Sequence, residues 1–479
     1  MDIYICTKCM DLFHMSVTIH NTLTNKKEKF IPINDRKVSM YICGVTVYDD
    51  IHMGHARSMI VFDMVAKYLR YSGYDVKHVT NFTDVDDKII NRAKEEGADP
   101  LELSARYIDR YFEESDSIGV GRASIYPKAS ESMDDIIEMI EDIIGAGFGY
   151  ATEDGSVYFS VDKVEDYGRL TNQKLENMES SGRVTLDDQK RNPMDFAVWK
   201  AAKPEEIYWD SPWGKGRPGW HIECSAMIRR HLGDMIDIHG GGNDLVFPHH
   251  ENEILQTESV TGKPLANYWM HNGMLQVKGE KMSKSSGNFF RVKEVLSKYD
   301  RYTVRYYFLN THYRGPLIYS EEAMEEAATS LKRLWNNYSE LKSYVKDASG
   351  SDDLSVIIEK TKNEFIENMN DDFNTRNAMS SIFLLARETN KAMSERALSK
   401  KGAFSVISLL EEFDTIFGIL PENADSDDSL DSVMKIMMDI RSELRKRKLF
   451  DLADMLRDKL SEAGIKIEDS AEGAKWKKI

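Results

Sequence analysis

Two short clusters in this chain carry residue types suited to gripping a polyphosphate. The first is His52-Met53-Gly54-His55. It falls between a strand-like run and the start of a helical one, where open backbone N–H groups and the helix dipole favour an anion. Gly54 lets a nucleotide approach the backbone closely, and the two imidazoles beside it suit phosphate oxygens. The second is Lys281-Met282-Ser283-Lys284-Ser285, in a polar Gly/Ser-rich loop. Two lysines among short polar residues suit a charge clamp. Singly, these patterns also describe two surface histidines in a turn and an exposed basic loop. Together, in this order on either side of an α/β sheet, they point to one nucleotide site.

A third set suits a metal. His249 and Glu253 are four residues apart and share one helix face. Cys43 ends a strand-like run, and Cys224 lies in Gly219-Trp220-His221-Ile222-Glu223-Cys224. Two thiolates, an imidazole and a carboxylate suit zinc best among the common metals. On the residues alone, His221, His239, His250 and Glu251 stand equally open as ligands, and two buried apolar cysteines beside a capped helix are the plain alternative. His250-Glu251-Asn252-Glu253-Ile254 lacks the second histidine of a protease zinc helix. Cys6-Thr7-Lys8-Cys9 is a CxxC without a partner CxxC, read as part of an upstream extension.

The elements that must position these groups emerge from periodicity. Val38 to Cys43 reads as a buried strand, Ala56 to Tyr71 as a helix stopped by Ser72-Gly73, and Val76 to Asn81 as a second strand. That is a βαβ unit, which implies a parallel sheet with a right-handed crossover. Asp86 to Glu96 and Ser130 to Ile144 read as helices, Val157 to Val161 as a strand and Ser180 to Asn192 as a loop. A second half of the sheet is expected from Phe196, with a strand from Met235 to His239, a helix from His249 and a strand-like stretch from Trp269 to Val277. Residues 291–420 switch to helical periodicity and read as a bundle, 421–431 as an acidic linker, and Arg441 to Leu460 as one amphipathic helix.

Composition limits what this site can serve. The 479 residues suggest about three domains. At 41% hydrophobic residues the chain can bury a sizeable core, which excludes a disordered chain. A net charge of −17 excludes a uniformly basic nucleic-acid coat but not a local basic surface. Residues 435–479 hold 12 Lys/Arg against 9 Asp/Glu, a basic end on an acidic body that suggests contact with a polyanion. No apolar run reaches the roughly 18–20 residues of a membrane span, no secretory pattern opens the chain, and four cysteines cannot form a disulfide framework. The expectation is a cytoplasmic protein without membrane contact.

In combination, these segments resemble the cysteinyl-tRNA synthetases of the class I aminoacyl-tRNA synthetase family. His52 to His55 resembles the HIGH signature with Met in place of Ile, and Lys281 to Ser285 is the full KMSKS signature. The segments Tyr41 to Asp49, Asn81 to Lys88, Gly216 to Ser225 and His239 to Glu253 also match in order, with Gly44-Val45-Thr46 where Gly-Pro-Thr is usual. The resemblance covers residues 16 to 479. It implies an α/β fold with a Rossmann-like parallel-sheet catalytic domain, an inserted subdomain, a C-terminal helical bundle and a small tail domain. The expected division is an extension at 1–15, catalytic halves at 16–110 and 196–290 around an insertion at 111–195, a stem- and anticodon-contacting bundle at 291–420, a linker at 421–431 and a tRNA-contacting tail at 432–479.

The resemblance further implies activation of L-cysteine by ATP to the adenylate, then transfer to tRNA(Cys), by a monomer. His52, Gly54, His55 and Lys284 would bind ATP, with His52, His55, Lys284 and a supporting Lys281 acting in catalysis, and magnesium accompanying the nucleotide. Cys43, Cys224, His249 and Glu253 would hold one zinc per chain that takes the substrate thiolate as a further ligand, while Gly44, Thr83 and Trp220 would bind the amino acid. A site built around one specific bond rejects serine without editing. Trp476, among Lys475, Lys477 and Lys478, suits stacking on a base or anchoring the tail. Two alternatives have different consequences: a ligase joining cysteine to an amino sugar, which needs no anticodon module, and a non-catalytic zinc-containing RNA-binding paralogue, which would have lost His52, His55 or Lys284.

Overall fold

The computed structural model describes residues 16–171, 189–277, 280–281, 289–421, 428–470 and 473–478. Cys6, Cys9, Lys284 and most of the loop expected at 180–192 lie outside these residues. A hairpin, β1 (Thr18–Asn21) and β2 (Lys26–Lys29), precedes the βαβ unit of β3 (Lys37–Thr46), α1 (Met53–Tyr71) and β4 (Asp75–Thr83). Ile60, Val61, Met64, Val65, Tyr68 and Leu69 of α1 are all buried, which is the 3.6-residue stripe expected of a crossover helix on a sheet. The helix stops where Gly73 takes a positive φ of 89°. Asp86 caps α2 (Asp87–Glu96) and Asp99 caps α3 (Pro100–Ser117), which starts on proline.

The insertion holds α4 (Met133–Gly145) and an antiparallel sheet in the order β5 (Gly149–Ala151), β6 (Val157–Phe159), β7 (Phe196–Ala201), β8 (Gly216–Pro218). The parallel sheet therefore does not resume at Phe196. Phe196 stacks on Phe159 at 5.0 Å, and the apolar run there packs into the insertion's own core with Ile136, Ile140 and Val198.

The parallel sheet returns after α5 (Trp220–Leu232) with β9 (Ile236–Gly242), α6 (Glu251–Thr261) and β10 (Ala266–Asn272). Its order is β10-β9-β3-β4, every neighbour parallel. The crossover from β3 leads one way to β4, and that from β9 leads the other way to β10. The strand order thus reverses between β3 and β9, and such a switch point opens a crevice beyond the carboxyl ends of the strands.

The expected strand from Trp269 to Val277 is two strands. β10 ends at Asn272, and β11 (Leu275–Val277) joins a separate sheet with β12 (Glu280–Lys281) and β13 (Leu317–Tyr319). The break falls at Gly273, where a Cβ would sit 2.3 Å from the Gly315 carbonyl oxygen. β13 also interrupts the stretch expected to be wholly helical. Around it lie α7 (Val292–Leu296), α8 (Arg301–Leu309), α9 (Glu321–Tyr344), α10 (Ser355–Asn370), α11 (Thr375–Ser394) and α12 (Lys400–Phe417).

Two buried charges on α1 tie the sheet to the segments C-terminal to it. Asp63 pairs with Lys67 at 2.9 Å and with Arg305 of α8 at 2.8 Å, and Arg305 also donates to the Phe417 and Gly119 carbonyls. Arg57 is 1% exposed and meets no carboxylate among the described residues. It donates instead to the carbonyls of Met274, Tyr313 and Gly315.

The chain to Leu420 forms one compact unit, and Pro421–Ile479 forms a second. The second contains α13 (Asp428–Lys446), α14 (Phe450–Glu462) and the hairpin β14 (Ile465–Ser470) and β15 (Gly473–Lys478). α13 begins inside the stretch read as linker. The expected single helix over Arg441 to Leu460 is broken, because Lys448 takes a φ of 62°, which no right-handed helix admits. Half-buried Trp476 lies opposite Ile467 across the hairpin. Among the described residues no helix is long and apolar enough to cross a membrane.

Candidate metal centre and active-site cleft

The crevice at the switch point is a cavity of about 300 Å³ whose lining includes Cys43, Gly44, His52, Gly54, His55 and Trp220. Gly44 is fixed by its neighbour: a Cβ there would fall 1.7 Å from the Asn81 carbonyl oxygen. The Asn81 side-chain oxygen accepts the Gly44 N–H at 2.9 Å. Only glycine lets β3 and β4 close at this point, and that closure sets the height of Cys43 above the sheet.

At the nucleotide end, His52 is the N-cap of α1. Its Nδ1 accepts the His55 N–H at 3.2 Å, and the His55 Nδ1 accepts the His52 N–H at 3.4 Å. The rings stack with centroids 3.5 Å apart. This reciprocal cap presents both rings and the helix N-terminus to the cleft. The preceding loop is held from two sides. Asp50 pairs with Arg110 at 2.8 Å and Lys293 at 2.5 Å, and the Met53 N–H donates to the Phe290 carbonyl at 3.0 Å. The segment after the KMSKS residues is thereby fastened to the histidine loop. Glu114 of α3 accepts the Ile51 N–H at 2.8 Å, and burial pushes its carboxyl up to about 7.

At the other end, elements distant in sequence bring together Cys43 from β3, Cys224 from α5, His249 from the kinked turn Val246–His250 and Glu253 from the first turn of α6. Cys224, His249 and Glu253 are at most 2% exposed. Sulfur to sulfur is 3.8 Å, Cys43 Sγ to Glu253 Oε1 3.6 Å, Cys224 Sγ to His249 Nε2 3.6 Å, and His249 Nε2 to Glu253 Oε1 3.1 Å. Donors around a tetrahedral zinc, at bond lengths of about 2.0–2.3 Å, lie about 3.3–3.8 Å apart. The residues therefore fit the ion in number, type and spacing. Burial raises the Cys43 thiol well above its ordinary range, and the neighbouring Cys224 adds to this; a bound cation reverses that preference. Burial, with His221 and His239 alongside, keeps the His249 imidazole neutral, which is the ligating form.

The other histidines open to choice in the sequence surround these four. His221 Nδ1 lies 2.9 Å from His249 Nδ1, His239 Nε2 2.8 Å from Glu253 Oε2, and His250 Nε2 3.3 Å from Cys43 Sγ. Such partners orient ligands and tune them. Glu251 does something else: its carboxylate accepts the N–H groups of Gly168 and Leu170 and anchors the insertion to α6. Trp220 is 38% exposed and stacks on the His249 ring at 4.2 Å. Thr83 is buried, and its hydroxyl donates to Glu223 at 3.0 Å; it is not among the described residues lining the cavity. Asn81, Glu223 and His271 were not singled out in the sequence; each is a polar residue in an apolar strand or next to a candidate ligand, which is the signal that could have found them.

A parallel sheet with a switch-point crevice, a capped histidine pair at a helix N-terminus and a following KMSKS segment define a class I aminoacyl-tRNA synthetase. Residues 29–329 match the family described as tRNA synthetases class I (C) catalytic domain, and residues 364–421 match the DALR domain. The chain is 45% identical to the cysteine--tRNA ligase of Anoxybacillus flavithermus, over 97% of this chain and 100% of that one. It is 48% identical to that of Carboxydothermus hydrogenoformans, over 96% and 100%. The fold is similar to that of Mycobacterium tuberculosis methionyl-tRNA synthetase in complex with methionyl-adenylate, at a TM-score of 0.60 and 17% identity over 81% of this chain and 92% of that one. The chain belongs to the cysteine--tRNA ligase family of class I synthetases.

Proposed function

We infer that the chain activates L-cysteine with ATP and transfers it to tRNA(Cys), acting as a monomer in the cytoplasm. The observation that carries this reading is the buried Cys43–Cys224–His249–Glu253 cluster at one end of a cleft whose other end is the His52–His55 cap. Zinc bound by those four residues supplies an affinity for a thiolate that a hydroxyl cannot match. Cys43 lines the cavity, so a substrate side chain reaches the donor set from the cleft. Trp220, seated on His249, covers the side chain and excludes water. Gly44, held down by Asn81, leaves room for the amino-acid backbone.

The cysteine carboxylate then attacks the α-phosphate of ATP, forming the acyl–phosphate bond as the bond to pyrophosphate breaks. His52, His55 and the open N–H groups of α1 hold the phosphates. Lys284 balances the charge developing on the departing pyrophosphate, with Lys281 in support and magnesium accompanying the nucleotide. In the second step a ribose hydroxyl of the tRNA takes the cysteinyl group and releases AMP. The helical segment to residue 420 contacts the tRNA, and the basic tail at 432–479 supplies the local positive charge that an acidic protein needs for RNA.

The test is ATP–pyrophosphate exchange dependent on cysteine, run beside charging of tRNA(Cys) and zinc quantitation. The reading expects one tightly held zinc, exchange with cysteine at least about 10⁴-fold above serine, and a charged tRNA product. Equal exchange with serine, or exchange with no transfer to tRNA, overturns it.

A further inference from the structure

The cluster at the amino-acid end holds more donors than one ion uses. A second set of four, Cys43, His239, His250 and Glu253, also has its ligating atoms within 4.8 Å of one another. It shares Cys43 and Glu253 with the first set and replaces Cys224 and His249 by two further imidazoles. His239, His250 and Glu253 are completely buried. The Glu253 carboxylate is divided between the sets: Oε1 faces His249 at 3.1 Å and Cys43 at 3.6 Å, while Oε2 faces His239 at 2.8 Å. The Cys43 sulfur is divided likewise, with Cys224 Sγ at 3.8 Å on one side and His250 Nε2 at 3.3 Å on the other. A carboxylate with one oxygen per set and a thiolate between them are the bridging groups of two-metal centres, whose ions lie about 3.5–4 Å apart.

One histidine of the second set, His250, has the outer partner of a metal ligand, whereas the buried His239 Nδ1 has no hydrogen-bond partner among the described residues. His250 Nδ1 is 2.7 Å from His271 Nε2, and His271 Nδ1 is 2.8 Å from the Thr22 hydroxyl. With His250 Nδ1–H donating to His271 Nε2, His271 carries its own proton on Nδ1 and donates it to the Thr22 hydroxyl oxygen, and His250 Nε2 keeps its lone pair toward Cys43. That is the tautomer a ligand needs, fixed by a hydrogen bond to the opposite nitrogen. Cys43 lines the cavity, so an ion enters from the cleft.

We propose that His239 and His250, with bridging Cys43 and Glu253, form a second, weaker site for a thiophilic divalent ion such as zinc, beside the ion assigned to Cys43, Cys224, His249 and Glu253. This rests on the reading of the first set as a zinc centre. The second ion draws on the sulfur that the first needs to receive substrate. Excess zinc is therefore an inhibitor of cysteine activation, and a chelator reverses it.

Equilibrium dialysis of the purified full chain against rising free zinc reads the stoichiometry. Cobalt titration adds a spectroscopic signature, because only ions bound to sulfur give a thiolate-to-cobalt charge-transfer band. The expected results are two equivalents per chain, the second weaker, with the band growing further as the second cobalt binds. Cys224→Ser, which leaves the second donor set intact, retains one equivalent with a thiolate band. His239→Gln also retains one, and its activation loses sensitivity to excess zinc. Saturation of the wild-type chain at one equivalent, or a second cobalt that adds no thiolate band, overturns the proposal and leaves His239 as a hydrogen-bond donor to Glu253. Binding of no ion at all refutes the first zinc centre as well.

Discussion

The two ends of the cleft are built in opposite ways. At the amino-acid end three of the four donors sit on regular elements, Cys43 on β3, Cys224 on α5 and Glu253 on α6, with His249 in the turn just before α6, and three of the four are at most 2% exposed. Cys43, His249 and Glu253 each have a further imidazole within 3.3 Å, from His250, His221 and His239, so the geometry is set before any ligand arrives. At the nucleotide end the groups sit at a helix N-terminus and in loops, and they are held by ion pairs such as Asp50–Lys293, whose lysine is 55% exposed. The contrast matches two tasks. Telling sulfur from oxygen asks for fixed distances around a soft ion. Following charge as it moves from a carboxylate to pyrophosphate asks for groups able to shift during the reaction.

Mutations at each end sharpen the contrast or break it. Cys224→Ser has the largest effect: zinc is held less tightly and kcat/KM for cysteine falls by on the order of 10³ or more, while KM for ATP stays put. Zinc analysis with exchange kinetics checks this, and equal changes for both substrates would mean that the two ends are not separate. Lys284→Ala gives the mirror image, a loss of about 10²–10³ in kcat for adenylate formation, with cysteine binding and zinc content unchanged. His221→Gln removes only the partner of His249 and lowers zinc affinity by about 10–100-fold, measurable by chelator competition; no change would show that the outer rings merely fill space.

The smallest effect belongs to the nucleotide end and depends on pH. Burial pushes the Glu114 carboxyl up from 4.5 to about 7. Between these values the folded chain keeps a proton that the unfolded chain has lost. Stability from this group is therefore undiminished below about pH 4.5, declines as pH rises, and carries the full penalty above about pH 7. Glu114→Gln keeps an acceptor for the Ile51 N–H without the ionised form. Its Tm should exceed that of the wild-type chain by about one or two degrees at pH 8 and match it at pH 4, as thermal melts at both values will report.

The sequence revealed the β3–α1–β4 unit because its signals are local: an apolar strand, a helical stripe and a Ser72-Gly73 stop. It did not reveal the break at Gly273, which arises from a carbonyl of Gly315 some forty residues away, nor β13, which is a strand only because β11 lies beside it. Lys448 carries no residue-type signal for its left-handed backbone. For the site, the HIGH and KMSKS segments were legible as contiguous patterns. The metal donors were not separable on spacing from His221, His239 and His250, because these residues belong to the same cluster and differ only in three-dimensional distance. The family resemblance made that choice. The bond from the Thr83 hydroxyl on β4 to Glu223 on α5 joins residues 140 apart and has no local signal either.

Arg57 has a consequence for how this chain can vary. One rigid guanidinium grips backbone oxygens of Met274, Tyr313 and Gly315, and carbonyls are indifferent to the side chains they belong to. The grip itself asks nothing of the side chains there, although Tyr313 is fixed for its own reason, buried with its hydroxyl donating to Asp372. Yet adding or deleting a single residue between Tyr313 and Gly315 would pull an oxygen off a buried cation with nothing to replace it. What Arg57 locks is thus the length of the segment, not its composition.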